Sequence, residues 1–103
     1  MEIFESDEYA DWIDNLRDST AAVRIDAKFR YWETTDHIVG DVKPVGDGVS
    51  EVRFTFGPGY RVYFAHKRDR LVLLVFGGDK SRQSRDIARA KEILQRYKQE
   101  GQW

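Results

Sequence analysis

Residues 50–65, Ser50-Glu51-Val52-Arg53-Phe54-Thr55-Phe56-Gly57-Pro58-Gly59-Tyr60-Arg61-Val62-Tyr63-Phe64-Ala65, alternate apolar and polar side chains on either side of a Gly-Pro-Gly break. Period-two alternation marks strands with one buried face, and a short glycine-containing connection between two such strands marks a hairpin. Read as a three-residue loop, Gly57-Pro58-Gly59 sets Phe56 opposite Tyr60, Thr55 opposite Arg61, Phe54 opposite Val62, Arg53 opposite Tyr63 and Val52 opposite Phe64. Val52, Phe54, Val62 and Phe64 then share an apolar face, while Glu51, Arg53, Thr55, Arg61 and Tyr63 share the other. Two guanidinium groups this close repel unless an anion or a carboxylate lies between them. Glu51 can serve in part; a phosphate suits better, because the arginine fork holds it bidentately. The same pattern also fits a solvated outer face carrying a Glu51–Arg53 pair, and a change of loop length alters the register.

Downstream of the hairpin, His66–Arg70 reads as a charged turn and Leu71-Val72-Leu73-Leu74-Val75-Phe76 as a central strand covered on both faces. Gly77-Gly78 is expected to stop that strand. Ser81 or Ser84 is expected to cap a last helix whose buried stripe is Ile87, Ala90, Ile93, Leu94 and Tyr97. Upstream, Val42–Val45 reads as a short strand before the Gly46-Asp47-Gly48 turn. Met1–Phe4 reads as a first strand. Tyr9, Trp12, Ile13 and Leu16 form one helical stripe, Asp18-Ser19-Thr20 supplies a break and an N-cap, and Ala22, Ile25, Phe29 and Trp32 form a second stripe. Helices joined by so short a link fold back as a hairpin. The expected architecture is α+β: an N-terminal strand and helical hairpin, an antiparallel sheet of three to four further strands, and a C-terminal helix, all in one domain over residues 1–103.

Composition narrows the chemistry. There is no cysteine, which excludes disulfides, thiolate zinc sites and iron–sulfur clusters built on this chain. The longest apolar run, Leu71–Phe76, is too short to span a bilayer, and the acidic start Met1-Glu2-Ile3-Phe4-Glu5 lacks the pattern of a signal peptide. A cytoplasmic protein with no membrane association is expected. Net charge is −1, but residues 1–36 hold four basic and ten acidic side chains, whereas residues 37–103 hold thirteen basic and eight acidic ones. The asymmetry, −6 against +5, suggests an acidic back and a basic working face, or simply solvated helix surfaces.

Lys80 stands at the entry to the last helix, beside Arg82, Gln83 and Arg85. A cation next to the free N–H groups of a helix start suits an anion, although Gly-Gly-Asp-Lys is also an ordinary turn. Arg82 and Arg85 oppose the helix dipole and would gain from a phosphate, from an acidic partner or from Asp86. His37 and His66 show no metal-ligand spacing, so no metal site and no cofactor is expected. No nucleotide-binding glycine loop, serine elbow or cysteine nucleophile is present.

These segments, in order, resemble the addiction-module killer proteins, toxins of the RelE/HigB kind from type II toxin–antitoxin systems. Val42-Lys43-Pro44-Val45-Gly46-Asp47-Gly48-Val49-Ser50-Glu51-Val52-Arg53 is similar to their K-P-L-G-x-G-L-x-E-L-R segment. Gly57-Pro58-Gly59-Tyr60-Arg61-Val62-Tyr63-Phe64 is similar to G-x-G-Y-R-V-Y-Y. Leu73–Ser81 is similar to L-L-x-G-G-D-K-S, and Gln83 with Asp86-Ile87-Ala88 and Ala90 to Q-x-x-D-I-x-x-A. The likeness covers about the last two-thirds of the chain.

The resemblance implies a RelE-like fold and a metal-independent endoribonuclease that cuts messenger RNA, commonly on the ribosome. It also implies a helix-turn-helix antitoxin as partner, with operator DNA reached only through that antitoxin. By position, Arg53, Arg61 and Lys80 would be the basic active-site residues. The RNA 2′-hydroxyl attacks its own neighbouring phosphate, so Arg53 and Arg61 are candidates for clamping that phosphate and Lys80 for neutralising transition-state charge or protonating the leaving group. Glu51 is a candidate general base on condition that burial raises its pKa. Tyr63 could stack on a base or donate a hydrogen bond, and Lys43, Arg82 and Gln83 complete the candidate RNA contacts. Where several relatives carry a histidine or tyrosine near the end of the last strand, this chain has Val75-Phe76-Gly77-Gly78. A non-catalytic module that only engages an antitoxin or another protein is therefore the alternative. A phage structural component, suggested by the phage origin of some relatives, is a third.

Overall fold

The structure, a computed structural model, describes residues 1–68 and 70–103; of the expected His66–Arg70 turn, Asp69 lies outside the described residues. The fold is α+β. Strand β1 (Glu2–Glu5) leads into helices α1 (Asp7–Asp14) and α2 (Ser19–Thr35), then strands β2 (Asp41–Gly46), β3 (Val49–Arg53), β4 (Tyr60–Lys67) and β5 (Leu71–Asp79). A 3₁₀ turn (Lys80–Arg82) and helix α3 (Gln83–Gln99) follow. The strands form one mixed sheet in the order β1-β5-β4-β3-β2. The four later strands are antiparallel, as expected, while β1 adds parallel to β5. The apolar run Leu71–Phe76 is thus interior but second from the edge, and β4 is central.

Both sheet faces are covered. Val52, Val62, Phe64, Val72 and Leu74 pack with Tyr9 of α1 and Ile25, Phe29 and Trp32 of α2. Val49, Tyr63, Leu73 and Val75 pack under Ala90, Ile93 and Leu94 of α3. This alternation of odd and even residues is why β5 is apolar on both sides. The α2 stripe buries Ala21 rather than Ala22, with Ala21, Ile25, Phe29 and Trp32 all at most 4% exposed. Among the described residues no helix is long and apolar enough to cross a membrane.

The hairpin register differs from the one a three-residue loop imposes. Arg53 lies opposite Arg61, Val52 opposite Val62, Glu51 opposite Tyr63 and Ser50 opposite Phe64. Six residues, Phe54–Gly59, connect the strands instead of three. Phe54 turns into the core beside Phe29 while its N–H still donates to the Tyr60 carbonyl at 2.9 Å, and beyond that last cross-strand bond Phe56 folds onto Phe54 and Tyr60. Thr55 leaves the strand with Phe56 and is exposed. The Gly59 N–H donates to the Phe56 carbonyl at 3.4 Å, closing a tight turn in which Gly57 and Gly59 both have positive φ. Because the slip is two residues, every side chain keeps its face.

Gly77 and Gly78 do not stop β5; they lie inside it. A Cβ on Gly77 would stand 2.3 Å from the Trp12 ring, and one on Gly78 would stand 2.0 Å from Asp86 Oδ2. The glycines therefore let α1 on one face and α3 on the other close onto the end of β5. A bulge between Tyr63 and Phe64 in the β4–β5 ladder leaves Val75 unpaired. The Ser6 hydroxyl donates to the Val75 carbonyl at 2.5 Å and accepts the Tyr9 N–H, so one buried side chain satisfies the bulge and caps α1. Neither Ser81 nor Ser84 caps the last helix: Asp79 accepts from the Ser81 N–H, and α3 starts without a side-chain cap.

Candidate active site

Two cross-strand rows build the site on the α3 face of the sheet. Asp41, Arg53, Arg61 and Gly78 form one row; Lys43, Glu51, Tyr63 and Phe76 form the next. The register thus puts the two arginines directly opposite each other, closer than the sequence expectation had them. Glu51 is fully buried between them. Its Oε1 accepts from Arg53 Nε at 2.8 Å, its Oε2 accepts from Gln83 Nε2 at 2.9 Å, and Arg61 Nε stands 3.8 Å from Oε2. Gln83 ties the first turn of α3 to the sheet through this carboxylate. Arg61 donates from Nη1 to the Gly59 carbonyl at 2.8 Å.

Lys80 joins this group from the far end of β5. Its Cδ and Arg61 Nη1 each lie 3.4 Å from the point a Gly59 Cβ would occupy. Gly59 is the residue whose missing side chain leaves room for both. Arg53, Arg61, Glu51, Gln83 and Lys80 are therefore one cluster. Lys43 is exposed on edge strand β2, opposite Glu51. Arg82 is exposed on the 3₁₀ turn, and neither it nor Arg85 reaches a carboxylate among the described residues. Asp86, expected as one possible partner for them, sits over Gly78 instead. The backbone anion site expected at the helix start is taken by Asp79, which accepts from both the N–H and the hydroxyl of Ser81.

Two expectations fail. Tyr63 is fully buried under α3, its hydroxyl has no hydrogen-bond partner among the described residues, and it cannot stack on a base. Burial, with the charges of Glu51 and Asp86, pushes its phenol far above the ordinary value against a smaller pull from Arg61. Glu51 does not meet the condition attached to it as a base. Burial pushes its carboxyl up, but hydrogen bonds from Arg53 and Gln83 and the charges of Arg53 and Arg61 outweigh that and hold it below 4.5. A carboxylate held ionised by two arginines positions them and is a poor proton acceptor.

Asp86 is offered by the sequence only as a partner for Arg82 and Arg85, not as a residue of the site. It fills the space left by Gly78, the cross-strand neighbour of Arg61. Burial and then the charge of Asp79 raise its pKa, opposed by Arg82 and Arg85. A half-buried carboxyl with a raised pKa is suited to exchanging protons. The available signal was Gly78 itself, since an interior strand glycine marks a close approach.

The Glu51 charge should show in stability. A folded pKa below the unfolded value of 4.5 means that its contribution is complete above that pH and is lost as pH falls through the lower, folded value. Glu51→Leu, which leaves two arginines face to face, should cost roughly 3 kcal/mol near pH 7, and progressively less as pH falls below 4.5 through the lower, folded value. Urea denaturation midpoints across an acid titration measure this; a loss that does not change with pH would disprove the charge assignment.

Residues 11–98 match the family described as phage derived protein Gp49-like (DUF891). An uncharacterized protein of Haemophilus influenzae is 39% identical over 84 residues, covering 82% of this chain and 83% of that protein. No solved structure matches the chain significantly.

Proposed function

We propose that this chain, which belongs to the Gp49-like family of phage-derived proteins, is the toxin of a toxin–antitoxin pair, a metal-independent endoribonuclease of the RelE/HigB kind. It acts in the cytoplasm on messenger RNA, free or ribosome-associated, and so inhibits translation; a helix-turn-helix antitoxin neutralises it. The family's relation to toxin–antitoxin modules supports the toxin reading. The observation that carries the nuclease reading is the facing pair Arg53–Arg61 with Lys80 beside Arg61, held apart by one buried carboxylate.

In this reading a phosphodiester sits against Arg53, Arg61 and Lys80. The RNA 2′-oxygen forms a bond to phosphorus as the bond from phosphorus to the 5′-oxygen breaks. The products are a 2′,3′-cyclic phosphate and a 5′-hydroxyl, with one proton leaving the 2′-hydroxyl and one reaching the 5′-oxygen. The two guanidinium groups stabilise charge on the pentacoordinate phosphorus, and Glu51 keeps them aligned. Lys80 neutralises charge on the leaving oxygen. Asp86, as the carboxylate, takes the proton from the 2′-hydroxyl, and water supplies the proton that reaches the 5′-oxygen.

The test is to express the chain without its antitoxin and map transcript 5′ ends. Growth should stop and new 5′-hydroxyl ends should accumulate within coding regions. The purified protein should cut RNA in excess chelator, and Asp86→Asn should lower the rate about a hundredfold and remove the acidic limb of the pH–rate profile. Growth arrest without cleavage would favour the second reading, a non-catalytic binding module. That reading has its own support in the ionised Glu51 and the buried Tyr63, which among the described residues around the arginine pair leave Asp86 as the carboxyl suited to proton transfer.

A further inference from the structure

We infer that the cleft between α2 and the β3–β4 connection is a second nucleotide-binding subsite, one that takes an unpaired RNA nucleotide flanking the scissile phosphodiester. The inference rests on the ribonuclease reading above and extends it to the shape of the substrate. The cleft encloses about 410 Å³ and is lined by Arg24, Lys28 and Tyr31 from α2 and by Thr55 and Phe56 from the connection.

Charge argues for an anionic occupant. Neither Arg24 nor Lys28 reaches a carboxylate among the described residues, whereas the other side of α2 is internally neutralised by an Asp26–Arg30 pair at 2.7 Å. Surface cations left without counter-charges favour phosphate. The flat groups argue for bases. The Arg24 guanidinium lies 3.8 Å over the Phe56 ring, which leaves its outer plane free, and Tyr31 is 56% exposed. Guanidinium planes and aromatic rings are the platforms on which unpaired bases stack, and bases inside a duplex cannot reach them.

Position connects the cleft to the cluster. Phe56 and Gly59 close the same hydrogen-bonded turn. Arg24 covers the Phe56 side, while Arg61 and Lys80 lie against Gly59 on the other. A strand held at the facing arginines and led across this turn arrives at Arg24, Lys28 and Tyr31. The turn then acts as a saddle between two phosphate-binding groups of like sign.

Fluorescence anisotropy with all-2′-O-methyl RNA, which lacks the attacking hydroxyl, reads binding without cleavage. A mixed-sequence 12-mer should bind the parent more tightly than a 3-mer. Arg24→Ala with Lys28→Gln, and separately Tyr31→Ala, should each weaken 12-mer binding about tenfold while leaving the 3-mer affinity and the melting temperature unchanged. The double variant should also show a shallower dependence on salt. If both variants bind the 12-mer as the parent does, the subsite is disproved, including the case in which they lose a protein partner instead. If the parent binds neither oligomer, the ribonuclease reading falls along with it. Should the double variant melt early, Tyr31→Ala alone decides.

Discussion

Arg61→Ala should abolish the growth arrest and lower RNA cleavage on the order of 10²–10³-fold in kcat, with the fold intact. Removing one preorganised donor to a developing oxyanion costs about that much. Arg61 is 12% exposed, faces Arg53 across the hairpin and carries Lys80 beside it, so no other side chain can take its place. The fold should survive because Glu51 keeps its bonds to Arg53 and Gln83 and is not left as a buried orphan. Arg61→Lys should not restore the rate, since an ammonium cannot grip phosphate bidentately. Induction in cells and single-turnover cleavage measure the effect, and antitoxin binding should stay at the parent level. A variant that arrests growth as well as the parent would remove Arg61 from the mechanism.

Gly77→Ala should be the most damaging single-methyl change to stability. The added Cβ would stand 2.3 Å from Cε3 of Trp12, and the backbone cannot retreat because Gly77 is paired with Val62 inside the sheet. Trp12 would have to swing away, breaking its edge contact with Tyr60 and loosening α1 from β5. Overpacking of this kind costs about 3 kcal/mol, which for a domain of this size lowers Tm by roughly 15 °C. Thermal unfolding by circular dichroism checks it. A melting temperature within a couple of degrees of the parent would show that Trp12 does not pack on Gly77 as described.

Much of the architecture was legible because local periodicity reports burial. The two α helical stripes, the alternation across residues 50–65 and the doubly apolar run from Leu71 marked each element and its buried face. Errors fell where a side chain's partner lies far away in sequence. Thr55 and Phe56 read as ladder residues, but the last cross-strand bond joins Phe54 to Tyr60, and Phe56 folds back onto the Tyr60 ring. Gly77 and Gly78 read as terminators because their reason, Trp12 and Asp86, lies on two helices packed against opposite faces. Tyr63 read as a surface aromatic because the sequence does not say that α3 covers that face.

The candidate site divides the same way. Side-chain parity along β3 and β4 is a property of the extended backbone, so the sequence alone determined that Glu51, Arg53 and Arg61 share a face, whatever the register. Which residues stand directly opposite depends on how six connecting residues pack, and only the tertiary structure decided that Arg53 meets Arg61. It also decided the charge state of Glu51 and the placement of Asp86, because both depend on desolvation and on groups brought in from α3. Periodicity is written in neighbours a few residues apart; electrostatics is set by whatever folding brings within a few ångströms.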